Sequence, residues 1–326
     1  MKYKHYIGID IGGTKIASAL ADERGNIRMR ERIPTPRKAS FHAMVQCLGH
    51  LIEEILIVEK LKIKDIEGIG IGVPGIVHVD EHRILKTPNA NLSGMPLGSQ
   101  LEKKFRTKVY LGNDVNLGLL GEQWLGAAKK VKNVIGLSPG TGIGGAIILD
   151  GKLFLGSHGA AAEIGHMVID MNGPMCSCGN RGCLEALAGR WAIERDIRRA
   201  VRLGHRSIIK ELSAKKLTLV KSKMLKKALD KKDPLITAVM TQASEALGKA
   251  CISINHIFNP DMIVLGGGII EACGGFMLPI IRKISYSDPF FSRQLIAEVV
   301  SSELGDDAVV LGAVALVKSR LKKKND

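Results

Sequence analysis

The stretch IGIDIGGTKIASALADERGN, residues 7–26, decides how the rest of the chain is read. An apolar run breaks at Gly12 and Gly13 and resumes as KIASALAD, which alternates with a period of two residues. A Walker-type phosphate loop or a dinucleotide fingerprint needs a helix directly after its glycines, because the helix N-terminus holds the phosphates. Period-two alternation predicts a strand instead. The segment therefore predicts a strand over residues 3–11, a glycine turn, a second strand over 15–21, a turn at Gly25-Asn26 and a third strand.

Outward from this hairpin the pattern returns. NVIGLSPGTGIGGAIILDGK, residues 133–152, is again an apolar strand, a glycine turn, an apolar strand and a turn. A third glycine site, DMIVLGGGII at 261–270, ends a buried strand and leads into a helix, after a long helical segment from Leu235 to Phe258. Between the hairpins lie a helix from Ser40 to Leu61, a buried strand IEGIGIGV ending at Pro74-Gly75, and a loop-rich region to about Arg106. A short strand KVYLG, the trio Asn113-Asp114-Val115 and a helix through Ala127 follow. Two glycine hairpins, one from each half, with backbone N–H groups facing a shared cleft would grip a polyphosphate from both sides.

The bulk properties narrow the class. A chain of 326 residues with 45% hydrophobic content exceeds the usual single domain and buries substantial cores, so two domains are expected. No apolar run reaches the roughly 20 residues that span a bilayer. The first apolar stretch is interrupted by Asp10 and Lys15, unlike a secretory signal, so a cytoplasmic protein without a membrane partner is expected. A net charge of +15 invites a nucleic-acid reading. The excess is read as spread through surface segments such as Lys221–Lys232 and the tail KSRLKKKND, with no RNP, zinc-finger or basic-zipper pattern. A solvated face and no nucleic-acid partner follow. Of six cysteines, three lie within eight residues, while Cys47, Cys251 and Cys273 are scattered in apolar surroundings as core filler.

Several residues carry chemistry. Asp10 ends the first strand beside the glycine turn, where a carboxylate holds a hydrated Mg²⁺ against phosphates or simply caps the turn. Thr14, Ser138 and Thr141 are hydroxyls placed to donate to phosphate oxygens or to stabilise their turns. Lys15 suits a phosphate, and strand alternation equally points it to solvent. Asp114 precedes an apolar helix, where it acts as an N-cap or, in a cleft, as a base that takes a proton from a hydroxyl attacking a γ-phosphate. Asn113, both donor and acceptor, suits a polyol.

The segment EIGHMVIDMNGPMCSCGNRGCLE, residues 163–185, offers one imidazole and three thiolates at His166, Cys176, Cys178 and Cys183. That is the ligand set of a closed tetrahedral structural zinc site, which pins a loop and does not activate water. Glu163 and Glu185 stand at the two ends of this loop. They are surface charges, or carboxylates that the zinc orders as acceptors for sugar hydroxyls.

GIDIGGTKI, GVPG, GNDVN, GTGIGG, EIGH followed by CSCGNRGCLE, and IVLGGG occur in an order that resembles the ROK family (repressor, open reading frame, kinase) over nearly the whole chain. The likeness is strongest to the bacterial ATP-dependent glucokinases of that family. It implies an α/β fold of the actin-like ATPase and hexokinase (ribonuclease H-like) type, two domains around a cleft, with a structural zinc loop. The expected division is an N-terminal domain of residues 1–120 completed by a helix at about 305–326, and a larger domain of 121–304 with the zinc loop and a homodimer interface. ATP with Mg²⁺ would lie against Asp10, Gly12, Gly13, Thr14 and Lys15 and against Ser138, Gly140, Thr141, Gly142 and Gly144. Gly266, Gly267 and Gly268 would lie near the adenosine.

By the same resemblance Asp114 is the catalytic base on the 6-hydroxyl of a hexose. Asn113, Glu163, His166 and Glu185 contact the sugar, with Gly75 and Asn89 as further contacts, and His166 binds zinc through one ring nitrogen and sugar through the other. Ala162 stands where glucokinases of this group commonly carry Gly, as in some N-acetylmannosamine kinases, so N-acetylmannosamine and N-acetylglucosamine stay beside glucose as acceptors. The family's repressors carry a helix-turn-helix region before the first hairpin; only six residues precede Ile7 here, which favours the kinase over a repressor or an idle sugar sensor.

Overall fold

The computed structural model describes residues 4–36, 40–78, 82–87, 92–213, 217 and 220–322. It resolves into two compact units: residues 1–130, 152–161 and 306–326, and residues 131–151 and 162–305.

The first unit is built on a five-stranded sheet. Its elements are β1 (His5–Ile11), β2 (Lys15–Asp22), β3 (Ile27–Pro34), α1 (Phe41–Val58), β4 (Ile66–Val73), β5 (Ile76–His78), β6 (Arg83–Lys86), α2 (Leu97–Phe105), β7 (Val109–Asn113) and α3 (Asp114–Leu125). The strand order is β3-β2-β1-β4-β7. β1 runs antiparallel to β2, pairing Ile11 with Ile16, and parallel to β4, pairing Asp10 with Gly72. β1 is apolar almost throughout because both faces of the sheet are covered. Ile7, Ile9 and Ile11 share a core with Met44, Leu48 and Ile52 of α1. The other face carries the C-terminal helix, Ala308–Lys322, so closely that a Cβ at Gly8 or Gly70 would come within 2.1 or 2.2 Å of a helix carbonyl oxygen.

α1 has the length and hydropathy of a membrane-crossing segment, yet Met44, Leu48, Leu51, Ile52 and Ile55 are core residues and Ser40 caps its start. The region read as loop-rich also holds regular elements among its described residues: β5, β6 and α2. α2 has no side-chain N-cap and spans only nine residues, with Leu97, Leu101 and Phe105 buried at four-residue spacing. Too few turns are present for that period to stand out in the sequence. α3 continues unbroken past residue 120 and lies within a unit that extends to residue 130.

The second unit comprises β8 (Val134–Pro139), β9 (Ile143–Leu149), α4 (Leu184–Ala188), α5 (Arg190–Arg202), α6 (Ile209–Leu212), α7 (Ser222–Asp230), α8 (Pro234–Phe258), β11 (Met262–Leu265), α9 (Gly267–Ser285) and β12 (Glu298–Ser301), the two-residue β10 (Lys152–Leu153) lying outside it. Within the unit the strands are ordered β9-β8-β11-β12. β8 and β9 form the second antiparallel hairpin, pairing Ser138 with Gly144, while β11 is parallel to both β8 and β12. The core gathers Ile135, Leu137, Ile147, Ile263 and Leu265 from the sheet with Leu247, Ile254 and Met277 from α8 and α9.

The cationic excess is concentrated rather than spread. Residues 190–232 hold fifteen Lys and Arg against four Asp and Glu, eleven of the chain's net fifteen positive charges. They belong to α5, α6 and α7 and their connections, where Ile193, Ile197, Leu225 and Ala228 turn inward and leave the charge on the outer faces.

Candidate functional site

Two carboxylates mark the first unit. Asp10 is the penultimate residue of β1, next to the turn closed by the Gly12 amide donating to the Lys15 carbonyl at 3.0 Å. Its carboxylate accepts no hydrogen bond among the described residues. Burial, with the Asp114 charge as the next cause, pushes Asp10 up to about 7, against a smaller pull from Lys15. Two neighbouring carboxylates raised in this way fit a cation held at Asp10 in company with phosphates.

Asp114 is the first residue of α3, but it is not the cap. Asn113 is: its Oδ1 accepts the Asn116 amide at 3.0 Å, and its Nδ2 donates to the Gly75 carbonyl at 3.0 Å. Both ends of the Asn113 side chain are thus engaged by the protein, which fixes the turn where β4 ends. Relieved of capping, Asp114 accepts the Val115 amide at 2.9 Å and its own backbone amide. Burial pushes it up to about 6. A half-buried carboxylate poised near neutral pH is suited to accepting a proton.

The turn residues differ in their engagement. Thr14 is exposed, and its carbonyl accepts the Thr35 amide at 3.0 Å. Lys15 is also exposed and its ammonium lies 3.1 Å from Asp306, which also binds Arg32 at 3.0 Å. Asn89 lies outside the described residues.

In the second unit the Cys-rich segment forms a compact knuckle. Cys176 donates its amide to the Asn180 carbonyl at 2.8 Å, and Ile169 donates to the Gly182 carbonyl at 2.8 Å. His166 stands on a short 3₁₀ turn, Ile164–His166, that follows Glu163, which is exposed. One ligand atom from each of His166, Cys176, Cys178 and Cys183 lies within 4.8 Å of every other. The Nδ1 of His166 is 3.6 Å from the Cys176 sulfur, and the sulfurs of Cys178 and Cys183 are 3.7 Å apart. A tetrahedron with Zn–S bonds of about 2.3 Å has edges of about 3.8 Å, so both separations match the edges that a zinc ion requires. With Nδ1 turned to the sulfurs, Nε2 is the nitrogen left for another partner.

The glycine turns of this unit lie against helix starts. The Gly140 amide donates to the Gly142 carbonyl at 2.8 Å, while Arg190 and Trp191 at the start of α5 donate to the carbonyls of Gly140 and Thr141 at 3.1 and 3.3 Å. Gly266 precedes α9 without any side-chain cap, and Gly267 turns at φ +79° with a Cβ position only 2.8 Å from the Ser138 hydroxyl. Beside Gly268 lie the Arg190 guanidinium and, farther off, the Ser222 hydroxyl. The Arg190 Nε is buried without a hydrogen-bond partner among the described residues. Arg190 and Ser222 were not singled out from sequence; nothing in RWAIERD distinguishes this arginine from the five that follow in α5 and its connection. Glu185 accepts the Ile143 amide at 3.0 Å, so it serves the glycine turn as well as standing at the end of the Cys-rich loop.

Residues 6–320 match the sequence pattern of the ROK family. A glucokinase of Thermotoga maritima is 34% identical over 97% of this chain and 98% of its own length. A xylose repressor of Caldicellulosiruptor bescii is 33% identical over 96% of this chain and 78% of the repressor. Among solved structures, a ROK glucokinase of Streptomyces griseus in complex with glucose and AMPPNP superposes with a TM-score of 0.79 at 28% identity, over 97% of this chain and 99% of that one.

Proposed function

The chain belongs to the ROK family and has its actin-like ATPase fold, and from that premise we propose that it is an ATP-dependent hexose kinase acting on the 6-hydroxyl of glucose. The observation that carries this reading is Asp114, a half-buried carboxylate raised to about 6 by its desolvation and freed from helix capping by its neighbour. A repressor or idle sensor has no use for a base held in that state. Kinase relatives at about one-third identity over the whole length support the same reading.

In the proposed reaction Asp114 accepts the proton of the 6-hydroxyl as its oxygen bonds to the γ-phosphorus and the bond to the leaving ADP oxygen breaks. Asp10 would hold a Mg²⁺ ion, which would screen charge on the phosphates. The backbone amides of Gly13 and Thr14 and of Thr141 and Gly142 donate to phosphate oxygens, and Arg190 adds a fixed cation beside Gly268. Glu163, the free nitrogen of His166 and the remaining acceptor sites of Glu185 take the sugar hydroxyls, with Asn113 setting the turn at Gly75. His166, Cys176, Cys178 and Cys183 hold a structural zinc that keeps this loop in one conformation. A homodimer in the cytoplasm completes the reading.

N-acetylmannosamine stays as a second acceptor because Ala162, not Gly, precedes Glu163, as in some N-acetylmannosamine kinases of the family. ADP release measured across glucose, mannose, fructose and the two N-acetylhexosamines decides between them. Glucose is expected to lead in kcat/KM by at least about tenfold, or about 1.4 kcal/mol. An N-acetylated sugar in the lead would overturn glucose and leave the kinase reaction standing; no hexose-dependent ADP release would overturn the kinase.

A further inference from the structure

Glu185 lies where three parts of the second unit meet, and it touches all three. Its Oε2 accepts the Ile143 amide at 3.0 Å, directly after the turn at 140–142. Its Oε1 accepts the Ser177 hydroxyl at 3.3 Å, from a residue flanked on both sides by zinc-ligand cysteines. The same oxygen accepts the Trp191 indole N–H at 3.3 Å, from the start of α5. Its carbonyl in turn accepts the Gly189 amide at 2.9 Å, one residue before Arg190.

We propose that Glu185 is a positioning residue that couples the Cys₃His loop to the phosphate-binding turn, so that order in one is felt as affinity in the other. The glycine turn is shaped around this carboxylate: a Cβ at Gly142 would lie 2.1 Å from Glu185 Oε2. The turn is held a second time through α5, whose Arg190 and Trp191 amides grip the carbonyls of Gly140 and Thr141. Trp191 also packs against the buried cluster of Cys176, Cys183 and Ala186, while its N–H donates to the carboxylate. Displacing the Cys-rich loop therefore withdraws the Ser177 and Trp191 donors from Glu185, loosens its hold on Ile143, and frees both the turn and Arg190. Charge-assisted bonds that a carboxylate accepts from neutral donors are the stronger class, which suits them to transmit such a displacement.

The proposal rests on reading the turn at 140–142 as a nucleotide site. Coupling between two binding sites is reciprocal, which gives a readout independent of turnover. Zinc affinity of the purified, zinc-loaded chain is measured by equilibrium competition with a chelator, with and without saturating ADP, while calorimetry reports ADP binding itself. ADP is expected to tighten zinc by at least about fivefold, the low end of ordinary coupling. Glu185→Gln should erase that difference, and Ser177→Ala, which leaves every zinc ligand and the turn contact in place, should reduce it. Equal zinc affinity with and without ADP in a chain that binds ADP overturns the coupling and leaves the kinase untouched, as does coupling that survives undiminished in both variants. A chain that binds ADP but holds no zinc overturns it too. A chain that binds no ADP overturns the nucleotide site, and this proposal with it.

Discussion

At the scale of single residues, the two carboxylates of the first unit give opposite tests. Asp114 must be ionised to take a proton, and burial holds it at about 6. The acid limb of kcat/KM, which reports the free enzyme, should therefore fall with an apparent pKa near 6, about two pH units above an ordinary aspartate; a kcat/KM flat down to pH 5 would contradict it. Asp10 bears on stability. It sits at about 7 in the folded chain against 3.8 when free, so the folded chain holds this proton through that window. The resulting stability is complete below pH 3.8 and is lost as pH rises through 7, at about 1.4 kcal/mol per pH unit. Without metal or nucleotide, Asp10→Asn should gain Tm over the native chain progressively from pH 4 to pH 7 and level off above it, and a pH-independent difference would refute the assignment. Ala162 carries backbone strain at φ +69°. Ala162→Gly should raise stability by about 1 kcal/mol, read as a denaturation midpoint shift at unchanged slope.

At the scale of elements, the zinc knuckle and the glycine hairpins carry the account. The knuckle should yield about one equivalent of zinc by elemental analysis of protein purified without added metal, and Cys178→Ser should lower that content and weaken sugar binding. Full stability and activity in metal-free protein would contradict a structural ion. Both hairpins and the Cys₃His set were legible in the sequence, because alternation, paired glycines and ligand spacing are local signals. What was not legible depended on distant partners. The cap on α3 fell to Asn113 rather than Asp114 because β4 delivers the Gly75 carbonyl to its amide group. Glu185 read as a sugar contact from its place at the loop end, while its bond to Ile143 spans 42 residues. Arg190 gains meaning only beside Gly268, on a separate helix. The α2 segment stayed hidden for want of turns, not for want of apolar residues.

At the scale of the whole molecule, charge and chemistry separate. The cationic layer of α5 to α7 carries most of the net charge. Ile193, Ile197, Leu225 and Ala228 are buried, and Trp191 near its start is engaged by Glu185 and by the Arg195 guanidinium, so the layer offers charge without a free aromatic stacking surface. Retention on DNA should therefore be sequence-independent and collapse between low and physiological salt, as counterion release dictates. A protected footprint on a defined operator at physiological salt would favour a repressor.

The central claim is that this ROK chain is a sugar kinase with Asp114 as its base, and the direct test is hexose-dependent ADP release by the native chain and Asp114→Asn under identical conditions. The substitution keeps shape and hydrogen bonding and removes only proton acceptance. The account predicts robust turnover in the native chain and a loss of at least about 100-fold in kcat in the variant, with sugar affinity nearly unchanged. Near-native turnover in Asp114→Asn would contradict it.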